Sequence, residues 1–163
     1  MQFAWWKYPI HWLAYGFGLG KIPGASGTFG TVLAIPVFVL MSRLGPVPYV
    51  AIVAGLFIAG IFICGQTAKD FGEVDPGYIT FDEIVGFLVA MFMLPATWRW
   101  ILAGFVIYRV FDIWKPFPIG WIEDKLGTGA SIMADDVIAG LYTLAILHAA
   151  RAVLERLAGQ GVG

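Results

Sequence analysis

Residues 84–110 read IVGFLVAMFMLPATWRWILAGFVIYRV, and the path of this run decides the fold. A membrane-spanning helix needs about 20 apolar residues. The run is long for one such helix and short for two full ones. Pro95-Ala96-Thr97-Trp98-Arg99 interrupts it. The reading adopted is a hairpin of two short helices that turns near Pro95 and Arg99.

The rest of the chain follows from that choice. Gly45, Pro46 and Pro48 mark a turn between apolar runs at 29–44 and 47–65, and a last run covers 137–154. Suppose residues 18–28 lie on one side of a bilayer. The Gly45 turn then lies on the other, and residues 66–83 return to the first. With a hairpin at 84–110, residues 112–136 return there too. Ten of the eleven acids then share one face, Glu155 being the exception. A single span would put the two acidic loops on opposite sides, where they could not cooperate.

Composition supports lipid as the environment. The 163 residues are 60% hydrophobic and 13% charged, with mean hydropathy +0.82. Soluble domains average about 25% charged residues, and one core of this size could not hide so much apolar surface. The expectation is an all-α, polytopic membrane protein of one domain, 1–163, with about four to five membrane helices including the hairpin. Residues 1–20 carry Trp5, Trp6, Tyr8, Trp12 and Tyr15, residue types that favour the membrane–water interface. They read as an interfacial segment, and no small-residue cleavage site suggests a removed leader. Residues 155–163 read as a polar tail. Lys7, Lys21, Lys69, Lys115, Lys125 and Arg109 fall on the acidic face, and Arg43, Arg99, Arg151 and Arg156 on the other. That weak bias leans toward a cytoplasmic acidic face.

Several classes are disfavoured. A net charge of -1 offers no field for nucleic acid. His11 and His148 alone do not suit a His-rich zinc site. The single Cys64 excludes an internal disulfide and reads as an inert buried thiol. Gly16, Gly18 and Gly20 precede Lys21, but Ile22 stands where a phosphate loop needs Ser or Thr.

Four polar stretches carry the chemistry. Residues 26–31, SGTFGT, place Thr28 in a small-residue loop entering a helix. Such amides can hold an anion, although a helix cap with close packing is the simpler reading. Residues 66–83 contain Lys69, Asp70, Asp75, Asp82 and Glu83. Thr80 to Glu83 also fits a capping box, which leaves Asp82, Lys69 and Asp70 unexplained. Arg109, Asp112 and Lys115 are spaced to line one helical face. A carboxylate near a helix C-terminus needs a stabiliser, supplied by those cations or by a metal. A plain ion-pair ladder is the alternative. Asp135 and Asp136 enter the last apolar run, where they read as acids at a helix start. Ionisable residues at the membrane are functional candidates. Many carboxylates with few His and Cys suit a hard cation such as Mg²⁺, which assists phosphoryl chemistry. Lys69, Arg109 and Lys115 could clamp phosphate oxygens.

These stretches resemble the bacterial phosphatidylglycerophosphatase A family. The shared pieces are GTFGT at 27–31, QTAKDFG at 66–72, ITFDEIVG at 79–86, Arg109 and Asp112 leading into KPFPI at 115–119, and IMADDVIAG at 132–140. They run in family order over residues 11–145. Ser26, Phe81, Phe117, Ala130 and Ser131 depart from the usual pattern, and no acid of it is missing. The resemblance implies Mg²⁺-dependent hydrolysis of phosphatidylglycerophosphate to phosphatidylglycerol and phosphate in a bacterial inner membrane. Asp82, Glu83, Asp135 and Asp136, with Asp112, would bind Mg²⁺ and act in catalysis. Lys69, Arg109 and Lys115, with Thr28 and Asp70, would hold the substrate, which is a phospholipid.

Rival chemistries fit less well. A cysteine phosphatase needs Arg six residues after its Cys, and Asp70 stands there. A histidine phosphatase motif and an Asp-x-Asp nucleophile are absent from the sequence. A lipid phosphotransferase would need a second, alcohol substrate and a spaced aspartate motif that is not seen. A transporter or channel would place its ionisable groups near mid-bilayer, whereas these cluster at expected helix ends. The residues around Gly55 to Ala59 would suit a homodimer contact.

Overall fold

The computed structural model describes residues 9–22, 26–73, 76–119, 121, 126 and 128–160. Trp5, Trp6, Lys7, Tyr8, Asp75, Asp124, Lys125 and Gly127, which bear on the expectations above, lie outside the described residues. So does the end of the tail, 161–163.

Six α-helices are described: α1 (Pro9–Ala14), α2 (Ser26–Met41), α3 (Pro46–Phe71), α4 (Phe81–Ala90), α5 (Trp98–Trp114) and α6 (Thr128–Gln160). A 3₁₀ turn, Leu19–Lys21, links α1 toward α2. No strand occurs among the described residues. The all-α expectation therefore holds.

Local chemistry sets the helix ends. Gly45 stands at the N-cap of α3, and proline in the first turn costs no hydrogen bond there. Gly72 closes α3 in a left-handed conformation, with its amide on the Ala68 and Lys69 carbonyls. Among the described residues, two helices are long and apolar enough to cross a membrane: Pro46–Phe71 and Thr128–Gly159, with mean hydropathy 2.5 and 1.8. Large apolar residues face outward on both, including Ile58, Phe62, Leu141 and Leu154. On α5, Leu102, Val106, Val110 and Ile113 form an exposed stripe. A continuous apolar exterior of this kind suits lipid rather than water.

Residues 84–110 do form two helices. α4 and α5 are separated by a turn at 91–97 in which Met93 has positive φ and Leu94 is buried. α4 has 10 residues and is about 15 Å long, too short to cross a bilayer. A helix that ends early must still satisfy its carbonyls. Neighbours do this: Tyr49 Oη donates to Leu88 O at 2.7 Å, His148 Nε2 to Phe92 O at 2.9 Å, and Arg151 Nη1 to Met93 O at 3.0 Å. None of these three roles was read from the sequence.

α4 is the centre of the molecule. It packs against α2, α3, α5 and α6, and Val85, Phe87 and Leu88 are fully buried. Its approach to α6 is backbone to backbone. A Cβ on Gly86 would sit 2.6 Å from the Asp136 carbonyl oxygen, and one on Gly140 would strike the Gly86 carbonyl. Glycine at both positions lets the helices close. Cys64 is buried against Met133, its Sγ 3.8 Å from Met133 Sδ.

One boundary differs from expectation. α6 begins at Thr128, not beside Asp135. Asp135 and Asp136 therefore lie two turns inside the helix. The polar stretch before them is not a loop. It is packed on α3, where a Cβ on Gly129 would strike the Ile61 carbonyl. The helix also continues through Gln160, so the start of the expected polar tail is helical.

Candidate functional site

The hairpin brings both acid pairs to one end of the bundle. Asp82 and Glu83 lie in the first turn of α4, Asp112 in the last turn of α5, and Asp135 and Asp136 on α6. Asp82, Glu83, Asp135 and Asp136 are 7%, 9%, 7% and 4% exposed. Buried carboxylates at that density are not a solvated face, and they need partners.

The side-chain partners come from α5 and its C-cap. Tyr108 on α5 donates a short hydrogen bond to Asp136 Oδ1. Arg109 pairs closely with Asp112 Oδ2 and lies 3.5 Å from Glu83 Oε1. Lys115 Nζ reaches Asp135 Oδ2 at 2.8 Å. Asp82, Asp112 and Asp135 are the carboxylates whose charges act on Asp136. In each acid pair the first carboxylate accepts the amide of the second: Glu83 N to Asp82 Oδ1 and Asp136 N to Asp135 Oδ1, both 3.0 Å. That bond orients the first acid of each pair.

α2 closes the site. A Cβ on Gly27 would strike Glu83 and Arg109, and one on Gly30 would strike Glu83. The GTFGT stretch is therefore a backbone surface against which the ion pair lies. Its glycines serve close approach, and what they approach is the site itself.

Three sequence expectations change. The capping box does not form: Thr80 makes no side-chain cap bond, and Glu83 turns to Arg109. Lys115 does not continue the helical face of Arg109 and Asp112. It is the left-handed cap of α5, with φ 44, and this redirects its amine across to α6. Asp135 and Asp136 are interior to α6, so helix-start charge complementation cannot account for them.

Not every named residue joins the cluster. Lys69 is exposed at the end of α3, and Thr28 is exposed in the first turn of α2. Asp70 accepts from Gln66 at 2.7 Å and lies 3.4 Å from His11 Nε2. His11 Nδ1 is 3.0 Å from Thr67 Oγ1. Asp70 thus docks α1 on α3 and stands apart from the acid cluster. Tyr108 belongs to the site and was missed. Its only sequence signal is adjacency to Arg109.

The donor set can be compared with the expected cation. Among the described residues, no three Asp, Glu, His or Cys side chains form a ready-made metal group. Mg²⁺ does not require one, because it usually takes one or two carboxylates and completes its shell with water and phosphate oxygens. Buried, hard carboxylate oxygens on two facing helices fit such an ion.

A helical protein with an apolar exterior and a buried cluster of carboxylates and cations at one end is the class that fold and site define. The family model described as phosphatidylglycerophosphatase A matches residues 12–151, and the chain belongs to that family. The chain is 43% identical over 141 residues to phosphatidylglycerophosphatase A of Escherichia coli (strain K12), covering 86% of this chain and 82% of that protein. It is 42% identical over 146 residues to phosphatidylglycerophosphatase A of Haemophilus influenzae, covering 86% and 88%. A Bacteroides thetaiotaomicron protein with the provisional name phosphatidylinositol-3-phosphatase is 34% identical over 147 residues, covering 85% and 91%. No solved structure matches the chain.

Proposed function

We propose that the chain is a Mg²⁺-dependent phosphatase that hydrolyses phosphatidylglycerophosphate to phosphatidylglycerol and phosphate. The observation that carries this reading is the convergence of both acid pairs with Arg109 and Lys115 at one end of the bundle. Two relatives named for that activity support the substrate.

In this mechanism one or two carboxylates drawn from Asp82, Glu83, Asp135 and Asp136 would hold Mg²⁺ directly, with the others and Asp112 beside them. When bound, Mg²⁺ neutralises charge on the phosphoryl group and favours water as nucleophile. Arg109 and Lys115 hold the terminal phosphate oxygens and share themselves between phosphate and their carboxylate partners. Tyr108 keeps Asp136 oriented. Water attacks phosphorus, its proton passes to a carboxylate of the cluster, and the glycerol oxygen leaves as the alcohol, taking up a proton from that carboxylate. Lys69 and Thr28 would act only from the rim.

In the membrane arrangement that goes with this mechanism, α2, α3 and α6 cross the inner membrane, and α4–α5 re-enters as a hairpin. α1 lies at the interface, and the acid cluster faces the cytoplasm. The chain works as one domain. Gly55 on α3, where a Cβ would meet nothing, suits a homodimer contact.

The test is phosphate release by purified protein from a panel of phosphate-monoester lipids. Release should require Mg²⁺ and be highest with phosphatidylglycerophosphate. Asp82→Asn and Asp136→Asn should each lower kcat by at least about 100-fold, the scale on which a single electrostatic contact in a dry site acts. Full activity in excess chelator would remove the metal from the mechanism. Full activity in both variants would remove the cluster.

A further inference from the structure

A second polar cavity adjoins the acid cluster. Its volume is about 450 Å³, and Tyr15, Lys21, Ser26, Glu73 and Tyr78 line it. That lies within the roughly 300–1,000 Å³ typical of small-ligand sites. Its lining is joined to the acid cluster through chain neighbours. Ser26 precedes Gly27, which abuts Glu83 and Arg109, and Tyr78 lies just before Thr80, against which Gly16, Gly20 and Gly30 pack.

Tyr15 is the unusual residue in this wall. It is 0% exposed, and its hydroxyl has no hydrogen-bond partner among the described residues. A buried hydroxyl left unpaired costs free energy, and native structures seldom keep one without a reason. The ring itself is well used, packing against Phe71 and Tyr78 with Lys21 Nζ 5.1 Å from its centroid. Phenylalanine would supply all of that except the hydroxyl. Burial, with Tyr78, Glu73 and Asp70 nearby, pushes the Tyr15 hydroxyl well up. Burial and Glu73 push Tyr78 up to about 12. Both phenols therefore remain neutral donors at neutral pH.

The lining selects a chemistry. Lys21 and Glu73 offset each other in charge, so the cavity does not favour a phosphate dianion. Phenol and serine hydroxyls interspersed with those two charges offer donors and acceptors on several sides. That array suits a small polyol. We propose that this cavity receives the polyol segment joining the lipid phosphate to the terminal phosphate, and so sets headgroup selectivity. The proposal rests on the phosphatase reading above, since it places the polyol beside the phosphate that Arg109 and Lys115 hold.

The test compares two lipids with the full-length protein. Phosphatidylglycerophosphate carries the glycerol segment; phosphatidic acid has its phosphate directly on diacylglycerol. Tyr15→Phe should raise KM for phosphatidylglycerophosphate roughly fivefold, the scale of one hydrogen bond. Its kcat should hold, KM for phosphatidic acid should not move, and thermal stability should stay level or rise. Lys21→Met, at an exposed position, should repeat the split, with the melting temperature measured beside it. Equal KM changes on both lipids, or none on either, would overturn the proposal. So would wild-type protein that hydrolyses phosphatidic acid as well as the glycerol lipid, leaving the phosphatase reading intact. Wild-type protein that hydrolyses neither lipid would defeat the phosphatase reading and this one with it.

Discussion

Tyr108 joins two helices at the level of single atoms. Its hydroxyl donates to Asp136 from α5 to α6, and Asp136, Asp112 and Glu83 all act on it electrostatically. A hydrogen bond to a charged group contributes about 1.5–3 kcal/mol, so its loss should be felt in catalysis before it is felt in the fold. Tyr108→Phe is expected to lower kcat roughly tenfold or more while helix content and yield hold. An unchanged kcat would show that Asp136 is oriented without Tyr108. At this scale the sequence is informative about charge and poor about partners. Asp82, Glu83, Asp112, Asp135 and Asp136 stand out because carboxylates have no reason to exist in an apolar chain. A tyrosine among many aromatics does not stand out, because it is equally at home in a core or at an interface. Asp70 lies apart from the cluster for the opposite reason. It lies in a polar stretch, but its partner His11 is far away in sequence.

Among the elements, the short helix α4 depends on glycine. Gly86 and Gly140 allow α4 and α6 to touch through their backbones, which is what sets Asp82 near Asp136. Gly140→Val should force the pair apart, giving poor expression or a drop in melting temperature together with loss of activity. Gly159→Val, at the exposed end of α6 where a Cβ would meet nothing, serves as the control and should leave both intact. Equal behaviour of the two variants would mean that the crossing is not glycine-dependent. The sequence reading of α4 and α5 succeeded because proline in the middle of an apolar run stops one helix before the next begins. The reading of α6 began too late, because small and polar residues at 128–136 look like a loop until α3 and α4 are seen covering them.

The whole molecule has two ends of different character. One gathers the end of α3, the start of α4, the end of α5 and the acid pairs of α6. The other gathers Ser42, Leu44, Met93, Pro95 and Arg151 around a separate pocket. Single cysteines in a Cys64→Ala background report this directly in oriented vesicles. Positions 73 and 126 should label from one side, and positions 44 and 98 from the other. Labelling of 73 and 126 from opposite sides would eliminate the hairpin. The N-terminal segment adds a pH dependence. Burial lowers the His11 pKa from 6.5, with Lys21 acting in the same direction and Asp70 partly opposing. The folded value is below the unfolded one, so the contribution is complete above pH 6.5. It is lost as pH falls below that, when the unfolded chain takes up the proton first. The melting temperature of the wild type in detergent should therefore fall more between pH 7 and 5.5 than that of His11→Gln. Parallel curves would place the titration elsewhere.

The sequence by itself determined the apolar character, the helical class, the helix break within 84–110 and the identity of the acids. Each of these follows from local composition: apolar length, a proline break, and charge set in an apolar chain. Only the tertiary structure decided which acids meet, that Arg109 and Lys115 reach across helices, that Tyr108 joins them, and that α2 closes the site with glycine. Those facts depend on helix crossings, and a crossing is set by backbone contacts between residues far apart in the chain. Gly86 and Gly140 illustrate the limit. In the sequence they are two glycines among many, and in the fold they are the reason the two acid pairs share one site.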